Sequence, residues 1–374
     1  MIPDETTSLR ARSPRQSAPR RTVAGVWALV VALVALLALT FLPTGYVIQQ
    51  PGPVYNTIGS SVDSDGEDVP LISVDGAETY ETGGALDLTT VQVVGNRDRT
   101  PSWFELALAW LDSSRAVLPL DAVFPEGQTT EQREEQNTAL MVDSQAEATA
   151  AALAQLGYDV GAQLQVVGPT DDESPASGVV QEGDLILAAD GEAVSDIDRL
   201  KAIVNEGAGD AVTLTIERDG EQRDVEVTPE ESDVDGVATW LIGVYLTTAF
   251  DFPIDVAIQL NDVGGPSAGT MFALGIIDTL TPGELTGGEE IAGTGTIDAE
   301  GTVGAIGGIR QKLYGARDAG ADWFLAPASN CDEVVGHVPD GLRVFSIETL
   351  DDALSTVEAI ADGDTSELPT CSAG

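Results

Sequence analysis

At 374 residues the chain is long enough for two or three folded units, each able to bury a core. A formal net charge of −45 excludes nucleic acid as a partner and repels anionic lipid headgroups, since a uniformly acidic surface has the wrong sign for both. With two cysteines and one histidine there is no metal-ligand spacing, so neither a metal nor a cofactor is expected.

Residues 1–42 differ from the rest. Five arginines (Arg10, Arg12, Arg15, Arg20 and Arg21) stand against Asp4 and Glu5, so this segment is +3 and the remainder −48. An uncharged run of 20 residues follows, Val23–Leu42, and at a rise of ~1.5 Å per residue it matches a hydrocarbon core of ~30 Å. The expected topology is a cytoplasmic arginine-rich tail (1–22), a single transmembrane helix in the lipid bilayer (23–42), and all later residues outside the cell membrane. A cleaved secretory signal is the alternative, and it exports the same residues.

Next comes an extended exit, 43–60, punctuated by Pro51 and Pro53. Gly84–Val94 alternates and is β-branched, which predicts a strand. Residues 101–112 (PSWFELALAWLD) read as a short amphipathic helix. Met141–Gly157 is alanine-rich with a glycine stop and predicts a longer one. The strand and helix region 43–160 is expected to pack with a C-terminal domain.

Residues 161–230 change rhythm to short strands around one helix, DIDRLKAIVNEG. Their run SPASGVVQEGDLILAADGEAV (174–194) resembles bacterial PDZ domains. The resemblance implies a peptide-binding module that captures an extended chain or a C-terminus as an added strand beside the helix starting near Asp196. Glu230–Gly236 reads as an acidic linker to a domain at 237–360, with 361–374 a flexible tail. Cys331 and Cys371 could bridge in an oxidising compartment, although Cys371 falls in that tail. The overall fold class is α+β.

The chemistry concentrates in two stretches. GGPSAG (Gly264–Gly269) leads into a helix, and a serine at a helix N-terminus has free backbone N–H groups beside it and the positive dipole end behind it. Such a place holds the oxyanion of a tetrahedral intermediate, with the N–H groups of Ser267 and Gly265 as candidates. Gly264 and Gly265 let a substrate backbone approach closely. The second stretch, Ile291–Lys312, is a hairpin and a glycine turn opening another helix that carries Lys312. The 17 basic residues comprise 15 arginines plus Lys201 and Lys312, so lysine is rare here. Arginine does not deprotonate at accessible pH and lysine does, which favours a base role for Lys312. A working base needs its pKa lowered to about 7–8, and burial among Ile306, Ile309, Leu313 and Tyr314 would lower it. No acid occurs between Thr302 and Ala316 to pair with it.

These residues resemble the proteolytic domain of Lon, endopeptidase La. Gly265-Pro266-Ser267-Ala268-Gly269 matches its serine motif. Thr294, Gly295, Gly301, Val303, Ile306, Gly307, Gly308 and Lys312 match the block that carries its lysine. The resemblance implies a serine endopeptidase with Ser267 as nucleophile, Lys312 as general base and Thr294 orienting the lysine. It implies unfolded or flexible polypeptides as substrates, and a hexameric ring as the homo-oligomer to expect. With the apolar run and the PDZ-like segment, the chain looks like membrane-anchored Lon-like proteases of bacteria. Gly264 stands where Lon commonly has an acid. No G-x-x-x-x-G-K-[ST] loop occurs, so proteolysis without ATP is expected. Two rivals remain. One is a non-catalytic peptide-binding scaffold. The other is an α/β-hydrolase reading of G-x-S-x-G, with His337 and Asp298 or Asp322.

Overall fold

The structure, a computed structural model, describes residues 20–62, 66–125, 127, 129–171, 173–234, 237–260 and 263–372. Most of the expected cytoplasmic tail, residues 1–19 with Arg10, Arg12 and Arg15, lies outside the described residues. The chain divides into two compact units, Met1–Gln50 with Gln92–Thr130 and Pro51–Val91 with Glu131–Gly374.

In the first unit the apolar run lies in helix Arg20–Phe41. Among the described residues no helix is long and apolar enough to cross a membrane, so the span remains an expectation. The exit segment is a strand rather than a loose connection. Tyr46–Gln49, its opening residues, pair antiparallel with Ala116–Pro119. Helix Trp103–Ala109 opens on a reciprocal cap: Glu105 N–H donates to Ser102 Oγ, and Ser102 N–H donates to the Glu105 carboxylate. It buries Leu106 and Ala109 against Ile48.

The second unit holds two sheets. In the first, strands Arg343–Ile347, Trp323–Pro327, Glu290–Gly293 and Ala85–Val94, the last up to Val91, lie side by side in that order. All four are parallel. Parallel strands are covered on both faces, and the side chains alternate accordingly. Leu86, Leu88, Ile291, Leu325 and Phe345 join a core with Phe272 and Ile276 of helix Gly269–Leu280, and with Val357 of helix Leu350–Ala361. The intervening Ala292, Phe324, Ala326 and Val344 face Ile309, Leu313 and Ala316 of helix Ile309–Ala319. The helix that follows Ser267 and the helix that carries Lys312 therefore lie on opposite faces of one sheet. Helix Thr130–Gln155 adds Met141, Ala148 and Ala152 to the serine-side core. It runs longer than Met141–Gly157 predicts, because TEQREE starts the helix at Thr130.

The second sheet has the order Glu221–Val227, Val212–Arg218, Leu185–Ala189, Gly161–Pro169, Val244–Asp251, with helix Ile197–Glu206 packed on its own core. The final strand corrects the expected boundary. Val244–Asp251, read with the C-terminal domain, pairs antiparallel with Gly161–Pro169 in the PDZ-like sheet. The expected acidic linker is likewise half of a hairpin, Glu230–Val234 paired with Val237–Leu241. Charge misleads there, because an exposed hairpin tolerates acids as readily as a linker does.

The tail is also tied down. Cys331 and Cys371 form a disulfide across a separation of 40 residues, and Ser346 N–H donates to the Pro369 carbonyl at 2.9 Å. Closing a loop of that length restricts the unfolded chain. Cys371→Ser is expected to lower the unfolding free energy by about 3 kcal/mol in urea titration under non-reducing conditions. An unchanged midpoint would show that the tail contributes nothing.

Candidate active site

The site forms where the strand Glu290–Gly293 ends, the customary place for a ligand in an α/β sheet. Thr294 N–H donates to the Leu325 carbonyl at 3.2 Å and continues the sheet by one residue. At this edge the helices from the two faces converge. Ser267 precedes helix Gly269–Leu280, and Lys312 sits one turn into helix Ile309–Ala319, its N–H donating to Gly308 at 3.1 Å. Gly308 has φ 72°, the left-handed conformation that starts this helix and favours glycine.

Lys312 Nζ lies 2.7 Å from Ser267 Oγ and 2.8 Å from Thr294 Oγ1. Thr294 Oγ1 donates its own proton to the Ser267 carbonyl at 2.8 Å, so its lone pairs are turned to the amine. Gly295 N–H donates to the same carbonyl at 3.0 Å. Two consecutive residues thus clamp the backbone of Ser267 while one of them holds the lysine. The structure brings Ser267, Lys312 and Thr294 into one hydrogen-bonded group.

Lys312 is 1% exposed, and among the described residues no acid forms an ion pair with it. Burial without a counter-charge penalises the ammonium form and lowers the pKa from 10.5 to about 7. About half of the amine is therefore neutral near pH 7, and only that form has a lone pair to take the Ser267 Oγ proton.

The expected supporting glycines have other duties. Gly265 N–H donates to the Asn137 carbonyl at 2.9 Å, so it is not free to hold an oxyanion, contrary to the sequence expectation. Its φ of 87° explains the glycine instead. Among the described residues, no hydrogen bond occupies the N–H of Ser267 or Ala268, and both lie at the helix start. A Cβ on Gly264 would stand 2.8 Å from Asn137 Cβ, so an acid does not fit where Lon commonly has one. Asn137 and Ser144, whose Oγ donates to the Pro266 carbonyl at 2.9 Å, brace the serine loop from helix Thr130–Gln155. Sequence reasoning missed both. Ser144 left only a faint signal, as a polar residue on a face of small apolar ones. His337, central to the hydrolase alternative, holds the Val335 carbonyl through Nδ1 at 3.1 Å, and no hydrogen bond joins it to Ser267. Asp298 accepts from Thr302 N–H at 2.7 Å. No serine–histidine–aspartate arrangement exists among the described residues.

A second site lies on the other sheet. Strand Val244–Asp251 is paired on one edge only among the described strands. Beside it an apolar groove of about 200 Å³ opens toward helix Ile197–Glu206, lined by Ile197, Leu200, Val204, Trp240, Ile242 and Leu246. An unpaired strand edge beside an apolar groove suits an extended peptide.

Residues 256–359 match the Lon protease (S16) C-terminal proteolytic domain. The Lon-type match thus contains Ser267, Thr294 and Lys312. Residues 141–228 match the PDZ domain family. Among curated proteins, Lon protease 1 of Sorangium cellulosum is 38% identical over 94 residues, which are 24% of this chain and 11% of that protein. Lon protease 2 of Herpetosiphon aurantiacus is 36% identical over 108 residues, 27% of this chain and 13% of that one. The chain therefore spans only a small part of these Lon proteases. The crystal structure of the PDZ domain of the SdrC-like protein from Listeria monocytogenes is 25% identical over 22% of this chain and 85% of that chain, with a TM-score of 0.20.

The buried amine has a measurable cost. An unfolded lysine keeps its proton up to about 10.5, whereas folded Lys312 releases it near 7. Unfolding therefore takes up a proton between those values, and stability rises with pH across that window. Lys312→Met keeps the side-chain length and removes the charge. It is expected to raise the unfolding free energy by on the order of 4 kcal/mol near pH 6, with the gain shrinking toward pH 10. Equal stability of the two proteins at both pH values would contradict the depressed pKa.

Proposed function

We propose that this protein is a serine endopeptidase in which Ser267 is the nucleophile and Lys312 the general base. The observation that carries the reading is the buried amine of Lys312, with no acid paired to it among the described residues, 2.7 Å from Ser267 Oγ. As Oγ attacks the scissile carbonyl carbon, Nζ takes its proton. The carbonyl π pair moves onto oxygen, and the N–H groups of Ser267 and Ala268 at the helix start are the candidates to receive that oxyanion. The Lys312 ammonium then protonates the leaving amine nitrogen, the C–N bond breaks, and an acyl-serine remains. A water gives its proton to Lys312 and attacks the acyl carbon. Ser267 leaves with the returned proton and the acid product departs. Thr294 holds Nζ toward Oγ throughout.

The chain contains no phosphate-binding loop of the G-x-x-x-x-G-K-[ST] type, so we read hydrolysis as independent of ATP and directed at flexible or unfolded polypeptide. The groove beside Val244–Asp251 is the candidate for holding a substrate segment. We further read Val23–Leu42 as a membrane anchor that leaves the catalytic domain outside the cell. That reading leans on the uncharged run and on Trp27, Leu29, Val31 and Leu33, which are exposed on helix Arg20–Phe41.

The test is hydrolysis of unfolded casein without nucleotide. Ser267→Ala and Lys312→Met are each expected to lower kcat/KM by at least about 10³-fold while the protein stays folded by circular dichroism. For the wild type, kcat/KM is expected to rise with pH and level off above an apparent pKa near 7, since only the free amine accepts the proton. Full activity of Lys312→Met would exclude this base, and an inactive wild type would leave the peptide-binding scaffold as the better reading.

A further inference from the structure

Helix Trp103–Ala109 carries large apolar side chains on both sides, with Glu105 its one acid, although only one side is covered. Its inner face buries Leu106 and Ala109 against Ile48, with Val94 and Val117 around them. Its outer face and the residues that follow present Trp103, Phe104, Leu108, Trp110 and Leu111, of which Trp110 is 63% and Leu111 86% exposed. A run of large aromatic and aliphatic side chains exposed on one face of a helix is unfavourable in water unless something covers it. The acids nearby are already engaged. The Glu105 carboxylate accepts from Ser102 N–H at 2.7 Å and Ser102 Oγ at 2.8 Å, and Asp112 pairs with Arg115 at 3.1 Å. The patch therefore faces outward with apolar and aromatic groups and no unengaged carboxylate from its own helix. Helix Arg20–Phe41, with its exposed apolar side chains, runs in contact with this helix, so the two apolar surfaces adjoin.

We propose that Trp103, Phe104, Leu108, Trp110 and Leu111 form a lipid-docking surface that lies in the interfacial layer of the membrane beside the anchor. The inference rests on the anchor reading of helix Arg20–Phe41. The partner is a bilayer, on three grounds. The patch adjoins the helix read as entering the membrane. Tryptophan favours the level of the headgroups, where its ring meets both apolar and polar surroundings. A short amphipathic helix with aromatic and aliphatic residues on its free face suits the interfacial plane. The chain's charge of −45 turns the partner toward neutral rather than anionic lipid, since the excess of acids gives it no cationic attraction to an anionic surface. Docking there would hold this unit close to the membrane instead of letting it swing on its tether.

The experiment uses the full-length protein reconstituted in phosphatidylcholine vesicles brominated either near the headgroup end or near the tail end of the acyl chains. Tryptophan emission of the wild type is compared with that of Trp103→Phe/Trp110→Phe, two exposed replacements that leave the fold and casein hydrolysis intact. Headgroup-end bromine is expected to quench the wild type and to lose about half of that effect in the double variant, with no gain from added phosphatidylglycerol. Quenching by tail-end bromine that is equal in both proteins, with none at the headgroup end that depends on Trp103 and Trp110, would leave Trp27 in the membrane and overturn the docking surface alone. Absence of quenching at every depth would overturn the anchor and the surface together. Blue-shifted emission untouched by bromine and dependent on protein concentration would give the patch to a second copy of the chain, and the proposal would fall.

Discussion

The structure depends on one unfavourable placement, an amine enclosed without a counter-ion. Lys312 is among the largest fully buried side chains of the protein, in the company of Phe272, Phe324 and Phe345. A lysine in that position is tolerated because it can shed its proton, and shedding the proton makes it a base. Arginine would remain charged at the same depth. Stability and chemistry are thus opposed at a single residue, a pattern associated with functional sites.

Geometry follows from the sheet. Because side chains alternate along the strands, the serine-side and lysine-side helices occupy opposite faces and meet only at the strand ends. Thr294 and Gly295 stand at that edge, and each bonds the Ser267 carbonyl. The loop is braced from a third direction by helix Thr130–Gln155, through the Asn137 carbonyl and Ser144. Three elements far apart in sequence therefore fix one hydroxyl, and such mutual constraint is what preorganises a nucleophile.

The pairing of Ser267 with Lys312 was legible in the sequence because its signals are local. A serine between glycines before an apolar helix, and one of two lysines in an acid-free run, carry their chemistry within a few residues. The alternation of the PDZ-like strands was equally local. The roles of Gly264 and Gly265 were not, since they answer to Asn137, which lies more than a hundred residues earlier and acts partly through its backbone. For the same reason Val244–Asp251 read as part of the following domain. A strand's partner is set by tertiary packing rather than by its own pattern. The sequence left the Cys331–Cys371 bridge open, because polar tail composition says little about whether a tail is tied down.

Lys312 can take the Ser267 proton only as a neutral amine, and its own titration reads that state. Lysine labelled with ¹³C at Cε gives two signals in this chain, one from Lys201 and one from Lys312, and Lys312→Met identifies the second. The account expects the Lys312 signal to titrate at about 7. A Lys312 signal that remains that of an ammonium up to about pH 10 would contradict it, since a permanently charged lysine cannot take the proton of Ser267.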